Sequence, residues 1–494
     1  MRKLLLVVGL CVCAAAHGAG KPATAGKPNI IFLLADDLRW DAMSCAGHPV
    51  LKTPALDRLA AGGTRFQNAF VTTSICAVSR ASILTGQYAR RHGVNDFATP
   101  LRSLDVTYPM LLQRGGYYVG FIGKWGVAAQ DKEYCGRCAG SFDFWAGDMV
   151  QTSYWHEQTC NYITNNGTTA RTNFFCSCPP QGRKGDGCGP NGPHPALKDP
   201  VHAETEFVPA KIRSFLDQRD PAKPFCLSVS FKAPHGPWQG YAPKFAKDFE
   251  GVDIPCRGNV TLAEAERQPA FLRASLANEQ GLRMLKNPEE RNKLFHQYYR
   301  LIEGLDECVG KLLQELQQRG LAGNTVIVFS SDNGHFSGEH GFFGKWFMHE
   351  ESLRVPLIIC DPRAPATRRG QTSEALALNI DIAPTILDLA GLPAPAVMQG
   401  KSLLPVTPVR EEFFYEHLYP HGPKPPKHIE PSEGVRTRDW KYILWVDQTG
   451  PDREELYNLR DDPLEMKNLA TDPSHHKQLI ELRKRCLAYR QELK

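Results

Sequence analysis

Two acidic clusters and one cysteine set the chemistry open to this sequence. Asp36-Asp37 and Asp332-Asn333 each follow a run of apolar residues and offer only carboxylate and amide oxygens. An all-oxygen donor set suits a hard cation, Ca²⁺ with Mg²⁺ as the alternative, rather than zinc. Either pair alone reads more simply as a helix cap or turn former. Two such pairs at strand ends, beside Cys76, favour the metal site. Cys76 taken alone would be inert packing or half of a disulfide. Lys124 and His235 join the set because they too follow apolar runs, although such a lysine is ordinarily solvated and a histidine before Gly-Pro ordinarily belongs to a turn.

Four apolar runs must position these groups. Asn29 to Ala35 leads into Asp36-Asp37, and Thr325 to Ser331 leads into Asp332-Asn333-Gly334. Tyr117 to Ile122 leads into Gly123-Lys124-Trp125, and Phe225 to Phe231 into Lys232-Ala-Pro-His235. Buried-type strands alternating with helical stretches predict an α/β fold, a mostly parallel sheet flanked by helices. Ligands of such sheets lie beyond the carboxyl ends of the strands, so the four clusters are expected to meet. Between Phe295 and Leu316, apolar residues recur at three and four, predicting a helix closed by Gly320 just ahead of the Asp332 strand. After Pro362 the composition shifts to Pro-rich stretches at 392–408 and 420–431, then a strand at Trp440 to Val446 and a helix from about His475. These features predict a catalytic domain over 28–390, with a Cys-rich insert at 131–200, and a smaller α+β subdomain over 391–494.

With 42% hydrophobic and 22% charged residues over 494 positions, the chain is neither disordered nor fibrous. Its net charge of +5 is too small and dispersed to indicate nucleic acid. Arg2 and Lys3 precede an apolar run, Leu4 to Ala16, that gives way to small and polar residues. This predicts a cleaved signal peptide over 1–20 and a secreted or periplasmic protein; a membrane span would need about 20 apolar residues. Cys135, Cys138, Cys160, Cys176, Cys178 and Cys188 crowd one Gly/Pro-rich stretch, predicting a disulfide-stapled loop. Asn166-Gly-Thr168 and Asn259-Val-Thr261 are glycosylation sequons.

Cys76-Ala-Val-Ser79-Arg80, followed by Leu84-Thr85-Gly86, resembles the modification sequence of sulfatases, Cys-x-Pro/Ala-Ser-Arg with a later Leu-Thr-Gly. The resemblance extends through Gly344-Lys345-Trp346 to Glu455-Leu-Tyr-Asn-Leu459, Asp462-Pro-Leu-Glu465 and Asn468-Leu-Ala470. It implies an alkaline-phosphatase-like core in which a formylglycine-generating or sulfatase-maturating enzyme oxidises Cys76 to formylglycine. The hydrated aldehyde would offer one hydroxyl to attack sulfur and a second to expel sulfate afterwards. By the same resemblance Asp36, Asp37, Asp332, Asn333 and position 76 would hold the cation. Arg80 would hold the hydrated aldehyde, Lys124 and Lys345 the sulfate oxygens, and His235 would protonate the leaving alcohol. His335 either hydrogen-bonds the nucleophile or lines the loop. Two positions depart from the pattern: Val78 stands in place of Pro or Ala, and Gly126 where many members carry histidine.

Phe231 to Trp238 and Glu433-Gly-Val-Arg-Thr437 resemble bacterial members acting on sugar sulfates, which implies a sulfated carbohydrate of the N-acetylglucosamine-6-sulfate kind or another glycan sulfate. Trp238, His417, His421, His428 and Arg436 are the candidates for a sugar-binding rim. The competing readings are a broad arylsulfatase, a non-catalytic glycan-binding relative, and a two-zinc phosphohydrolase of the same superfamily.

Overall fold

The structure, a computed structural model, describes residues 26–128, 131–149, 151–157, 188–189, 192–193, 197, 199–404, 410–418 and 428–493. The expected signal peptide, Asn166, Cys160, Cys176, Cys178, His421 and the side chain of Cys188 lie outside them.

Eight strands form the main sheet: β1 (Asn29–Ala35), β2 (Thr64–Phe70), β3 (Tyr118–Lys124), β4 (Phe144–Asp148), β5 (Phe225–Ser230), β6 (Thr325–Ser331), β7 (Leu357–Cys360) and β8 (Gln371–Leu378). Their order is β8-β2-β7-β6-β1-β5-β3-β4. β1 lies at the centre, parallel to both neighbours, with Ile31 opposite Leu227 on one side and Ile327 on the other. Antiparallel pairing occurs only where β7 joins β6 and β2, so the sheet is mostly parallel as expected. Every residue of β1, β5 and β6 is buried, the condition their unbroken apolar runs require.

Each face carries its own core. Ile30, Phe32 and Leu34 pack with Ile83 and Leu84 of α2 (Cys76–Thr85) and Ile386 of α5 (Ile382–Leu389). Ile31 and Leu33 face the other way, against Leu56 and Leu59 of α1 (Pro54–Gly62), Phe215 of α3 (Val208–Gln218), and Ile302 and Leu305 of α4 (Pro288–Gln318). The period-2 alternation of β1 thus divides its side chains between two helical layers. α4 is the helix expected around Phe295 to Leu316, begun earlier by Pro288 at its first turn. β3 runs on through Lys124, so that lysine closes the strand itself. Gly123 (φ +92°) permits this, because a Cβ there would lie 1.9 Å from Ser230 O.

A second, antiparallel sheet comprises β9 (Glu412–His417), β10 (Ser432–Thr437), β11 (Trp440–Trp445) and β12 (Glu454–Asn458), backed by α6 (His476–Glu492). Buried charges fasten it to the main body. Lys441 Nζ lies 3.0 Å from Glu350 Oε1 and 2.6 Å from Glu465 Oε1, and the Glu350 amide donates to Glu465 Oε2 at 2.8 Å. The Asp462-Pro-Leu-Glu465 motif therefore acts as a clamp. Among the described residues no helix is long and apolar enough to cross a membrane. Asn259 is fully buried and donates to Glu351 Oε1 at 3.0 Å, so its sequon is closed to glycosylation in the folded chain.

Candidate active site

The carboxyl ends of β1, β3, β5 and β6 converge on the N-terminus of α2. Cys76 is the first residue of that helix, preceded by extended Ile75 (φ −138°), and every residue of α2 is buried. The unpaired N–H groups and dipole of the first turn favour negative charge at position 76. Arg80, one turn on, ties the strand ends together. Its Nε and Nη2 each lie 2.8 Å from Asp332 Oδ2, and its Nη1 donates to Lys124 O at 2.8 Å and Ser230 Oγ at 2.5 Å.

The acids face matched cations. Lys124 Nζ donates to Asp36 Oδ2 at 2.5 Å, and Lys345 Nζ to Asp37 Oδ1 at 2.5 Å. Asn333 Nδ2 reaches the same Asp37 oxygen at 2.5 Å, and the Asp37 amide donates to Asp332 Oδ1 at 3.2 Å. Burial would push Asp36 up, but Lys124, His235 and Arg80 outweigh it and hold the carboxyl well below its ordinary range. Burial likewise opposes charge on Lys345, yet Asp37 and Cys76 raise its pKa. Asp332 is pushed up by burial and the charge of Asp36 despite Arg80.

The donor set fits a hard cation. Asp36 Oδ1 and Asn333 Oδ1 are buried with no hydrogen-bond partner. Two orphaned oxygens on two of the expected ligands are a cost that a cation between them would remove. Ligand atoms of Asp36, Asp37 and His235 also lie within 4.8 Å of one another.

Cys76, Arg80, Lys124, Lys345, Asp36, Asp37, Asp332 and Asn333 are thus brought together. His235 stands at the mouth, with 28% of its side chain exposed and Nε2 3.7 Å from Asp37 Oδ2. Its Nδ1 lies 2.8 Å from Gly236 O, so Nδ1 carries the proton and Nε2 faces the acid. Burial lowers its pKa toward about 4 against the pull of Asp36 and Asp37, with its solvent contact offsetting part of that push.

His335 lines the loop. Its ring centroid is 5.3 Å from that of Trp238 and 4.8 Å from that of Phe343, and Nδ1 meets Ser337 Oγ at 3.4 Å. Among the described residues the expected sugar rim is not assembled. Trp238 is buried against Tyr298, His335 and Phe343, so its faces are spent on core packing. Arg436 is buried with its guanidinium 4.5 Å from the Phe70 centroid and Nη2 3.3 Å from Glu350 Oε2, where it joins the two sheets. His417 is buried, and His428 Nε2 pairs with Glu430 at 2.9 Å.

Three contributors escaped the sequence reading. Ser230 accepts from Arg80, Gln151 Nε2 donates to Asp36 Oδ2 at 3.2 Å, and Tyr415 Oη donates to Trp346 O at 2.5 Å. None lies in a motif, and only packing brings them in. The Gly126 departure has a steric account: at φ +77° a Cβ would lie 2.9 Å from Arg80 Cδ and 3.2 Å from Lys124 Cε.

A family model described as Sulfatase matches residues 28–392, and one described as N-sulphoglucosamine sulphohydrolase, C-terminal, matches 338–492. The N-acetylglucosamine-6-O-sulfatase of Bacteroides thetaiotaomicron is 30% identical, covering 92% of this chain and 85% of its own. The N-acetylglucosamine-6-sulfatase of Homo sapiens is 30% identical over 82% of this chain and 68% of its own. A protein solved in complex with its substrate D-glucosamine-2-N,6-O-disulfate superposes with a TM-score of 0.74 at 28% identity, covering 95% and 98% of the two chains. The phosphonate monoester hydrolase of Agrobacterium radiobacter shares the fold, with a TM-score of 0.71 at 22% identity over 94% and 96%.

Proposed function

The chain belongs to the sulfatase family, and from that premise we propose that it hydrolyses a sulfate ester of a carbohydrate of the N-acetylglucosamine-6-sulfate kind, with position 76 as nucleophile after oxidation to formylglycine. The observation that carries the reading is the pairing of Lys124 and Lys345 with separate members of the Asp36-Asp37 pair beside Cys76, each at 2.5 Å. Two buried lysines on neighbouring carboxylates beside position 76 suit a doubly contacted oxyanion such as a sulfate group.

A divalent cation, Ca²⁺ with Mg²⁺ as the alternative, would be held by Asp36, Asp37, Asp332, Asn333 and position 76, and when bound would supply Lewis acidity and offset the acids' charge. Lys124 and Lys345 then turn toward sulfate oxygens, and Arg80 holds the modified residue against Asp332. His235, its Nδ1–H held by Gly236 O, would act from Nε2 to protonate the departing alcohol. Formylglycine at position 76 would supply a hydroxyl to receive sulfate and a second to release it.

The remaining parts of the reading concern context. Residues 1–20 direct export to a secreted or periplasmic location, where a formylglycine-generating or sulfatase-maturating enzyme is the obligatory partner at Cys76; of the Cys-rich insert at 131–200, Cys138 is a buried free thiol, so a disulfide staple there would use its other cysteines. Residues 28–390 form the catalytic domain and 391–494 its C-terminal subdomain.

The test is mass analysis of the tryptic peptide Phe66 to Arg80 from the native host, joined to an assay of sulfate release from N-acetylglucosamine-6-sulfate. An aldehyde at position 76 with sulfate release is the expected result. A wholly unmodified thiol and no release would turn the reading to a glycan-binding relative.

A further inference from the structure

We propose that Gln151 is a specificity-determining residue that hydrogen-bonds the alcohol half of the ester, the sugar ring bearing the sulfate; this rests on the sulfated-carbohydrate reading above. The site is graded in depth. Arg80, Lys124, Lys345, Asp36, Asp37, Asp332 and Asn333 are all buried, while Gln151 and His235 are only partly so. A sulfate anion belongs with the buried cations, so the uncharged alcohol half must face outward. Outward lie the two partly exposed polar groups, Gln151 over Asp36 (3.2 Å) and His235 over Asp37 (3.7 Å).

The chemistry of the amide matches that position. One N–H bonds Asp36 Oδ2 and fixes the side chain, which leaves the second N–H and Oε1 for a ligand that both donates and accepts, as sugar hydroxyls do. The segment is also braced against the His235 loop. Tyr154 Oη donates to His235 O at 2.6 Å, and Lys232 Nζ sits 5.1 Å from the Tyr154 ring centroid. Gly126 leaves the turn after Gly123-Lys124-Trp125 without a side chain, and among the described residues at that flank of Lys124 the amide of Gln151 reaches the acid cluster.

The experiment measures kcat and KM of the mature, full-length enzyme and its Gln151→Ala and Gln151→Met variants on N-acetylglucosamine-6-sulfate and on 4-nitrophenyl sulfate. Gln151→Met keeps the length of the side chain without its hydrogen bonds. Both variants are expected to lower the sugar-to-aryl ratio of kcat/KM by about 3- to 10-fold, with the loss carried by KM for the sugar, as for one lost neutral hydrogen bond. Comparing two substrates within each variant cancels any loss through folding or through Asp36. An unchanged ratio overturns the role of Gln151. A wild type that cleaves the aryl ester but no sugar sulfate overturns the carbohydrate reading, and this inference with it.

Discussion

The Tyr415 hydroxyl, from β9 of the second sheet, donates to the carbonyl of Trp346 at 2.5 Å, next to Lys345. The same hydroxyl accepts from the Ser74 amide at 3.3 Å, two residues before Cys76. One group thus joins the loop before Cys76, the proposed nucleophile, to the loop of Lys345, a proposed sulfate ligand. Tyr415→Phe is expected to leave both backbone groups unmet, to cost about 1–3 kcal/mol of stability and to lower kcat more than KM. Denaturant unfolding together with steady-state kinetics checks this; unchanged kcat would mean the bridge does not position Lys345.

Lys124→Ala and Lys345→Ala each remove a cation from the proposed sulfate position. Loss of about 10²- to 10³-fold in kcat is expected for each, the scale of one lost oxyanion donor. Near-normal turnover in either variant would show that the lysine serves only to neutralise its aspartate.

The orphaned oxygens of Asp36 and Asn333 lead to a metal test. Chelation should abolish turnover, and Ca²⁺ or Mg²⁺ added to stripped protein should raise Tm with the logarithm of free cation once its concentration exceeds Kd. Asn333→Ala should move the onset of that rise to higher cation concentration. A preparation holding two zinc ions per chain would instead favour a phosphohydrolase.

Glu204 is buried behind the His235 loop, where Oε1 accepts from the Ala233 amide at 3.1 Å. Burial, opposed by that bond and by Lys232, raises its pKa from 4.5 to about 7. The folded state therefore holds a proton that the unfolded state has released between pH 4.5 and 7, and stability falls as pH rises through that window, by about 1.4 kcal/mol per pH unit. Glu204→Gln should flatten this part of the stability profile. A slope equal to wild type would remove Glu204 as its source.

The Lys441 clamp should be costly to halve. Lys441→Met strands Glu465 in the interior, while Glu350 keeps Arg436, and is expected to destabilise by about 3–5 kcal/mol, whereas Lys441→Met with Glu465→Met should recover part of the loss. Chemical denaturation of the three proteins decides it, and additive losses would count against a coupled pair.

The sequence by itself determined the sheet strands that carry the chemistry, because unbroken apolar runs such as Asn29 to Ala35 can be buried on both faces only in a layered α/β fold. It also placed Asp36, Asp37, Lys124, Asp332 and Asn333 at one site, since parallel strands put their carboxyl ends on one edge and the Cys76 motif marks which edge, while Lys345 was reached only through the family resemblance. Tertiary structure alone decided the rest. Arg436 and Trp238 carry groups suited to a sugar rim, but burial committed one to Glu350 and Phe70 and the other to an aromatic cluster. Gln151, Ser230 and Tyr415 have no spacing that marks them, and their partners are Asp36, Arg80, Trp346 and Ser74, far away in the chain. Periodicity reports which face of an element is buried. Which polar group meets which is fixed only when separate elements pack and each buried donor must find an acceptor.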